Sequence, residues 1–159
     1  MTPYITNMKQ TFLLVIGFAS ICLIAGCAPP SRHQNVDPVT RQKGIDKMKE
    51  AKQAAIACMM YASYHGGQYP HSLSDTASYG YPNTEYFKRI IAEYDLVYTG
   101  VTTNITKPAE SIIIREKQAW QGKGGGWLKT YAFADCHSEL HKSVDGTFDT
   151  WENERIIRP

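Results

Sequence analysis

The sequence lacks the features that would assign a familiar activity. Its 17 basic and 15 acidic residues are interspersed, and no run or stripe of Lys and Arg offers the electrostatic footprint that nucleic acid requires. Neither a Gly-x-Ser-x-Gly nucleophile motif nor a His-Glu-x-x-His metal motif occurs. No internal repeat is visible, and a length of 159 residues fits one small domain. We therefore expect no nucleic-acid partner and no catalytic residues.

The longest apolar run is too short for a stable membrane span. Phe12–Ala25 would extend about 21 Å as a helix, whereas the hydrocarbon core of a bilayer is roughly 30 Å thick. Lys9 precedes the run and small residues end it, which is the plan of a signal peptide. We expect residues 1–26 to be that signal peptide.

The end of this run, Ile24-Ala25-Gly26-Cys27, resembles a bacterial lipobox. The resemblance implies that Cys27 receives diacylglycerol, becomes the mature N-terminus and anchors the protein to a membrane through acyl chains. Ala28 stands where an Asp would favour retention at the inner membrane, so an outer-membrane lipoprotein facing the periplasm is expected. The alternative is an ordinary cleaved signal with a chance cysteine. Residues 27–38 are rich in Pro, Ser, Asn and Gln and predict an extended tether, with the domain at 39–159.

A long amphipathic helix is predicted from Ile45 to the Gly-Gly turn at 66–67. Three residues near its end, Met60, Tyr61 and Tyr64, lie off the apolar stripe, so we expect other segments to wrap these turns. The stripe consists of Ile45, Met48, Ala51, Ala55, Ile56, Cys58, Met59 and Ala62, and the polar face opposite it of Asp46, Lys47, Lys49, Glu50 and Gln53.

Shorter elements follow. A second helix is capped by Asn83 or Thr84, and a tight hairpin is centred on Asp135-Cys136. The remaining predictions are an end of the second helix at Tyr94, strands at Leu96–Tyr98 and Ser111–Arg115, a glycine-rich loop at Trp120–Trp127, and a last helix at Thr150–Ile156 begun by a capping pair of Asp149 and Glu152.

Five short segments resemble the soluble domain of type II secretion pseudopilins, above all prepilin-like proteins that end in a Phe-Ala-Asp-Gly-His hairpin. The segments are Lys52-Gln53, Met60-Tyr61-Ala62, Gly67-Gln68-Tyr69-Pro70, Ser72-Leu73 and Phe133-Ala134-Asp135-Cys136-His137. The resemblance implies an α+β fold in which the long N-terminal amphipathic helix packs on a small antiparallel sheet.

The chain departs from this family in two places. A lipobox and tether stand where a pseudopilin has a prepilin cleavage site and a hydrophobic helix, which argues against assembly into a filament. Cys136 stands where the family has Gly, at a turn position that often needs φ > 0, and a non-Gly residue there costs on the order of 1–3 kcal/mol. The alternative is a different turn geometry at Cys136.

Processing and lipidation would leave two thiols, those of Cys58 and Cys136, in an oxidising compartment. We therefore predict a disulfide between them. The alternative is that Cys58 packs as a small hydrophobe at the edge of the helix stripe.

His137, Glu139 and His141 alternate along a predicted strand and project from one face, where two imidazoles and a carboxylate could hold a divalent metal. The alternative is a solvated sheet face, since pairing across the predicted turn puts Leu140 opposite Tyr131 on the other face. The alternation alone is common on solvated strands, so we expect no metal here.

Asp145 and Asp149, on either side of Gly146, resemble the calcium loop that some pseudopilins carry. A turn and a helix cap explain both carboxylates equally well. We expect no metal and no other cofactor.

These features predict a membrane-anchored envelope lipoprotein whose pseudopilin-like domain is a non-catalytic binding or assembly component, with envelope proteins as partners and a possible connection to type II secretion. One alternative is a small envelope metal-binding protein or enzyme that uses the His137, Glu139 and His141 hairpin. Another is a glycan-binding module that uses exposed Tyr79, Tyr81 and Tyr86.

Overall fold

The computed structural model describes residues 37–158, so the signal peptide and Cys27 lie outside the described residues. The described chain forms an α+β domain in which a long helix packs on a five-stranded antiparallel sheet, and the expected fold class is confirmed at this level. No helix in the described part of the chain combines the length and apolarity that crossing a membrane requires. The elements are α1 (Pro38–Tyr64), α2 (Thr84–Glu93), β1 (Tyr94–Leu96), β2 (Ile112–Glu116), β3 (Trp120–Gln121), β4 (Trp127–Phe133), β5 (Ser138–Ser143) and α3 (Asp149–Asn153).

Helix α1 begins earlier than the apolar periodicity indicated. The Asp37 carboxylate accepts a hydrogen bond from the Thr40 N–H at 2.8 Å, which caps the helix and lowers the pKa of Asp37. Pro38, expected in the extended tether, occupies the first turn, where its missing N–H would have had no helical partner. The prediction for Pro38 was therefore wrong. At the other end the Gly67 N–H donates to the Ala62 carbonyl at 2.8 Å, and the predicted Gly-Gly stop is confirmed.

Small side chains line the face of α1 that meets the sheet. Gly44 extends this face, because a Cβ added there would lie 2.8 Å from Leu140 Cδ2. The larger stripe residues Ile45, Met48, Ile56 and Met59 are only half-buried, at the margins of the contact. The helix backbone can therefore approach the sheet closely. The buried residues are Ala51, Ala54, Ala55, Ala57, Cys58 and Ala62.

One residue of the predicted polar face is buried. Glu50 Oε1 accepts a hydrogen bond from Arg89 Nε at 2.7 Å, and Glu50 Oε2 accepts one from the Tyr94 hydroxyl at 3.3 Å. Helix α2, which starts at the Asn83 cap as predicted, packs on this side of α1. The prediction that Glu50 faces solvent was wrong because α1 has a second neighbour besides the sheet.

Strand β4 organises the sheet. Strand β2 pairs with its C-terminal half, β3 with its N-terminal end and β5 along most of its length, while β1 adds to β2. The strand predicted at Leu96–Tyr98 lies two residues earlier, so α2 ends at Glu93 rather than Tyr94. The loop predicted at Trp120–Trp127 includes β3 and the first residue of β4.

The β4–β5 hairpin closes through one more loop residue than predicted. The Phe133 N–H donates to the His137 carbonyl at 3.0 Å, and the Cys136 N–H donates to the Phe133 carbonyl at 2.9 Å, so the loop is 134–136. Cys136 has φ 67°, the left-handed position that completes a three-residue hairpin loop. The expected positive φ at Cys136 is therefore confirmed.

The longer loop shifts the register of the hairpin by one residue. Glu139 lies opposite Tyr131, and Leu140 lies opposite Thr130. The predicted pairing of Leu140 with Tyr131 was therefore wrong. Because neighbouring strand residues point to opposite faces, Leu140 reaches α1 while Glu139 shares the face of Tyr131.

Apolar side chains form one cluster on each face of the sheet. The α1-face cluster includes Ile113 and Ile114, which are adjacent in sequence; the irregular register between Ile112 and Ile114 lets both join it. The α3-face cluster is smaller and consists of Ile112, Tyr131, Phe133 and Phe148, with Trp127 and Trp151 among the residues packed against it.

Helix α3 covers this second face and begins differently from the prediction. Phe148 occupies the cap position without a side-chain capping bond, and Asp149 is the first helical residue. Glu152 is 4% exposed and turned into the sheet face. The predicted capping pair of Asp149 and Glu152 was therefore wrong, because Glu152 binds partners on the sheet.

Candidate functional site

The C-terminal end of α1 carries an exposed group of rings, which we call the aromatic tip. Tyr61, Tyr64 and His65 are three and four residues apart, so a helix places them on one surface. Tyr79 joins them from the turn that follows the 3-10 helix Leu73–Thr76. Met60 lies beside them and completes the aromatic tip.

The rings of the aromatic tip are packed on one another. Tyr61 and His65 stack with centroids 3.8 Å apart and an interplanar angle of 4°. Tyr79 meets Tyr61 edge-on at 5.7 Å and lies 6.0 Å from Tyr64. His65 Nδ1 is 2.8 Å from the Tyr61 carbonyl, which helps to fix the imidazole. The tip is therefore an ordered surface built from side chains with an apolar body and a polar end.

The aromatic tip is open to solvent. Tyr64 is 75% exposed and Met60 is 38% exposed. We expected other segments to wrap these turns, and for Met60 and Tyr64 that prediction was wrong. Tyr61 and Tyr79 are half-buried and pack against each other. A group of exposed and half-exposed rings of this kind is a candidate interaction surface.

The hairpin histidines are held by different aromatic side chains. His137 stacks on Phe133 with centroids 4.1 Å apart, and its Nδ1 lies 2.5 Å from Asp135 Oδ1. Burial opposes ionisation of Asp135, but the hydrogen bonds with His137 outweigh it and lower the pKa of Asp135. His141 stacks on Trp151 at 4.1 Å. Glu139 Oε1 is 3.7 Å from His141 Nδ1.

His137, Glu139 and His141 share one face of the hairpin, as predicted. His137 and Glu139 are exposed, as on the solvated face that was the alternative to a metal site, whereas His141 is half-buried against Trp151 of α3. Among residues 37–158, no three His, Cys, Asp or Glu side chains lie close enough together to share a metal ion.

The same face holds a buried ionic group, the Glu152 network. Glu152 Oε1 accepts hydrogen bonds from Lys129 Nζ and from the Tyr131 hydroxyl, each at 2.7 Å, and Oε2 accepts one from Arg115 Nη1 at 2.8 Å. Burial opposes ionisation of Glu152, but these three donors outweigh it and lower the pKa of the carboxyl. Both carboxylate oxygens are occupied, so the network attaches α3 to the sheet.

Asp145 and Asp149 do not converge. Asp145 Oδ1 accepts hydrogen bonds from the Thr147 N–H, the Thr147 hydroxyl and the Ser143 hydroxyl. These bonds, led by the Thr147 N–H, hold the pKa of Asp145 well below its usual range. Asp145 thus makes the predicted turn, whereas Asp149 is exposed in the first turn of α3.

The two cysteines belong to the same part of the core. Cys58 is fully buried in the α1-face cluster, and the half-buried Cys136 packs against that cluster from the hairpin loop. Burial raises the pKa of the Cys58 thiol to about 12. Both cysteines are free thiols in this structure, so the disulfide stays a prediction.

The three tyrosines of the glycan hypothesis separate. Tyr79 belongs to the aromatic tip, whereas Tyr81 and Tyr86 are half-buried against the α1-face cluster. The Tyr81 hydroxyl is 2.9 Å from the Thr76 hydroxyl, and burial raises the pKa of Tyr81 to about 12. The prediction of one exposed set made of Tyr79, Tyr81 and Tyr86 was therefore wrong.

Comparison with protein families, with curated proteins and with solved structures gives no match for this chain. The site is therefore argued from its geometry. The sequence did carry a signal for the aromatic tip, because Tyr61 and Tyr64 lie off the buried stripe, and exposure rather than wrapping was the other way to interpret it.

Proposed function

We propose that this protein is a membrane-anchored envelope lipoprotein whose domain binds a partner without covalent chemistry. The lipobox at residues 24–27 supports the anchor. The α+β fold with its long helix, antiparallel sheet and terminal hairpin supports a domain on the pseudopilin plan. The aromatic tip is the contact surface, and it is the observation that carries the proposal.

In the sequence, the lipobox precedes the start of α1, whereas the aromatic tip lies at the end of that helix. The helix begins at Pro38, shortly after Cys27, and the tip starts at Met60. At 1.5 Å per residue, the tip lies roughly 33 Å along the helix from its first turn. A surface held at a membrane in this way meets a partner of the same compartment at a raised effective concentration.

A narrower proposal concerns the secretion system to which the partner belongs. The pseudopilin resemblance favours a partner among envelope proteins of type II secretion, and the tether in place of a prepilin helix favours an accessory component over a filament subunit. An outer-membrane position facing the periplasm remains part of the proposal. His137 and His141 stack on separate rings, which argues against the alternative in which they share a metal ion.

The anchor is tested by Cys27→Ser in the full chain. We expect the variant to lose labelling by a radioactive fatty acid and to leave the membrane fraction or accumulate unprocessed. Cys58→Ser is the control, because that thiol lies in the core. A Cys27→Ser protein that labels and fractionates like the parent would refute the anchor.

The contact surface is tested by photo-crosslinking in cells. A benzophenone amino acid at Tyr64 should give a discrete crosslinked product, whereas the same group at Val144, which is 90% exposed on the β5–α3 connection, should not. Identical products from both positions, or none from position 64, would contradict the proposed surface.

A further inference from the structure

A concave region lies near the N-terminal half of α1, roughly 25 Å along the helix from the aromatic tip. It is a cleft of about 490 Å³ between α1, the end of α2 and the β2–β3 connection. The volume is in the range of small-molecule sites. Its charged and aromatic lining residues are Lys43, Lys47, Glu93, Glu116, Lys117 and Trp120.

Both carboxylates of the cleft already have partners. Lys47 Nζ binds Glu93 and lies 3.0 Å from Glu116 Oε1. Glu116 Oε2 accepts a hydrogen bond from the Thr130 N–H at 3.0 Å. Burial opposes charge on Lys47, but its bonds to the two carboxylates outweigh this and raise its pKa. Three of the four carboxylate oxygens of the cleft therefore have partners, and few acceptors remain for a ligand.

The donors of the cleft are not occupied to the same extent. Among residues 37–158, neither Lys43 nor Lys117 has a carboxylate within ion-pair distance. Lys117 Nζ donates one hydrogen bond, to the Ile91 carbonyl at 2.7 Å, which leaves two N–H groups. The buried indole N–H of Trp120 has no acceptor among the described residues. The exposed ammonium groups of Lys43 and Lys117 are therefore the donors that a ligand in the cleft can reach.

Trp120 also positions Lys43. The Lys43 ammonium lies 4.3 Å from the centroid of the Trp120 ring, a cation–π contact. A cation already held at the wall of a cleft loses less side-chain entropy when it binds an anion. Counting Lys43, Lys47 and Lys117 against Glu93 and Glu116, the lining carries one excess positive charge.

We infer that this cleft binds a small oxyanion, a carboxylate or phosphate group, between Lys43 and Lys117 beside Trp120. A compact anion supplies the acceptors that the two ammonium groups lack, and it neutralises the excess charge. The inference does not rest on the proposed function, because the cleft shares no residue with the lipobox or with the aromatic tip.

The experiment follows the indole N–H signals of the full chain in detergent micelles by NMR after ¹⁵N labelling of its tryptophans. Trp120→Phe identifies the Trp120 signal among the three. Inorganic phosphate and, separately, acetate are titrated against sodium chloride at equal ionic strength. We expect a saturable shift of the Trp120 signal at about millimolar concentration with phosphate or acetate, and none with chloride. The two anions distinguish a phosphate site from a carboxylate site.

Variants decide whether the lysines are responsible. Lys43→Gln and Lys117→Gln should each weaken binding by about fivefold or more, since each removes a charge-assisted contact. Lys88→Gln is the control, because Lys88 is exposed on α2 and does not line the cleft. Shifts that do not saturate, that chloride reproduces, or that both variants leave unchanged would overturn the inference. Lys117 is exposed, so Lys117→Gln provides the test even if Lys43→Gln fails to fold.

Discussion

The two faces of the sheet differ in what fills the space between sheet and helix. Under α1 the contact is made by alanines and one cysteine of the helix against isoleucine and tyrosine side chains, and it is broad. Under α3 the apolar cluster is small, and the Glu152 network lies beside it. A 27-residue helix can bury a continuous stripe, whereas a 5-residue helix needs stronger individual contacts to stay in place.

This difference explains why the two helices respond to different changes. Close packing under α1 leaves no room for larger side chains, so the stability of this contact depends mainly on side-chain volume. Under α3 the single carboxylate of Glu152 accepts hydrogen bonds from three donors, so the stability of this contact depends mainly on charge.

Glu152→Ala should destabilise the domain by about 3 kcal/mol or more, because it leaves Lys129 and Arg115 without their buried carboxylate. Glu154→Ala on the same helix is the control; Glu154 is exposed, and its loss should change the free energy of unfolding by less than about 0.5 kcal/mol. Urea unfolding followed by tryptophan fluorescence measures both. Equal effects would show that α3 is held by its apolar residues alone.

The pH dependence of stability gives an independent check on Glu152. Its pKa is lowered in the folded state, so its contribution is fully present above the unfolded-state pKa of about 4.3 and is lost as the pH falls through the folded value. The parent and Glu154→Ala should therefore lose stability over this range. Glu152→Ala should lose less, and a variant with the parental pH slope would exclude Glu152 as its source.

Ala54→Leu should destabilise the domain by about 1–3 kcal/mol, because Ala54 is fully buried in the α1-face cluster and a larger side chain overpacks it. Ala92→Leu makes the same replacement at an exposed position of α2 and should be nearly neutral. Thermal unfolding by circular dichroism compares them. A neutral Ala54→Leu would mean that the α1 contact is looser than its burial indicates.

Much of the α1 side could be predicted from the sequence, and little of the α3 side could. Spacing of apolar residues identifies a long helix and its buried stripe, and the Gly-Gly pair marks its end. Glu152 gives no comparable signal, because its partners Lys129, Tyr131 and Arg115 are 21 to 37 residues away in the chain. From the sequence alone, Glu152 was therefore interpreted through its spacing from Asp149, as part of a helix cap.

The hairpin register shows a second limit. Asp135-Cys136 predicts a hairpin, and the structure has one. The same sequence is compatible with a two-residue and with a three-residue loop. The choice depends on whether Cys136 takes φ > 0, which a non-Gly residue does at a cost that the surrounding core must offset. One residue of loop then decides which face His137, Glu139 and His141 share.

Cys136→Gly should stabilise the reduced protein by about 0.5–1 kcal/mol, because glycine adopts the left-handed conformation without strain. Cys136→Ala is the matched control: it also removes the thiol but keeps the Cβ, so the difference between the two variants isolates the backbone effect. Urea unfolding with a reductant measures it. Equal stabilities of the two variants would contradict strain at position 136.

The same cysteine allows a test of the predicted disulfide. Protein recovered from the envelope without reductant, unfolded in guanidinium chloride to expose Cys58 and then alkylated should show no modified thiol at Cys58 or Cys136 if the bond forms, and two if it does not. A bond would join α1 to the β4–β5 loop and strengthen the α1 side of the comparison further.

Tyr64→Ser should have the smallest effect on stability, within about 0.5 kcal/mol, because its ring is 75% exposed and contributes little to either apolar cluster. Its effect should instead fall on binding, as loss of the crosslinked product when a benzophenone is placed at the neighbouring Ser63 in the Tyr64→Ser background. Val144→Ser removes another exposed apolar side chain and should leave that product intact. A Tyr64→Ser variant that unfolds as readily as Ala54→Leu would show that the Tyr64 ring contributes to core packing. A stable variant that still crosslinks would remove Tyr64 from the contact surface.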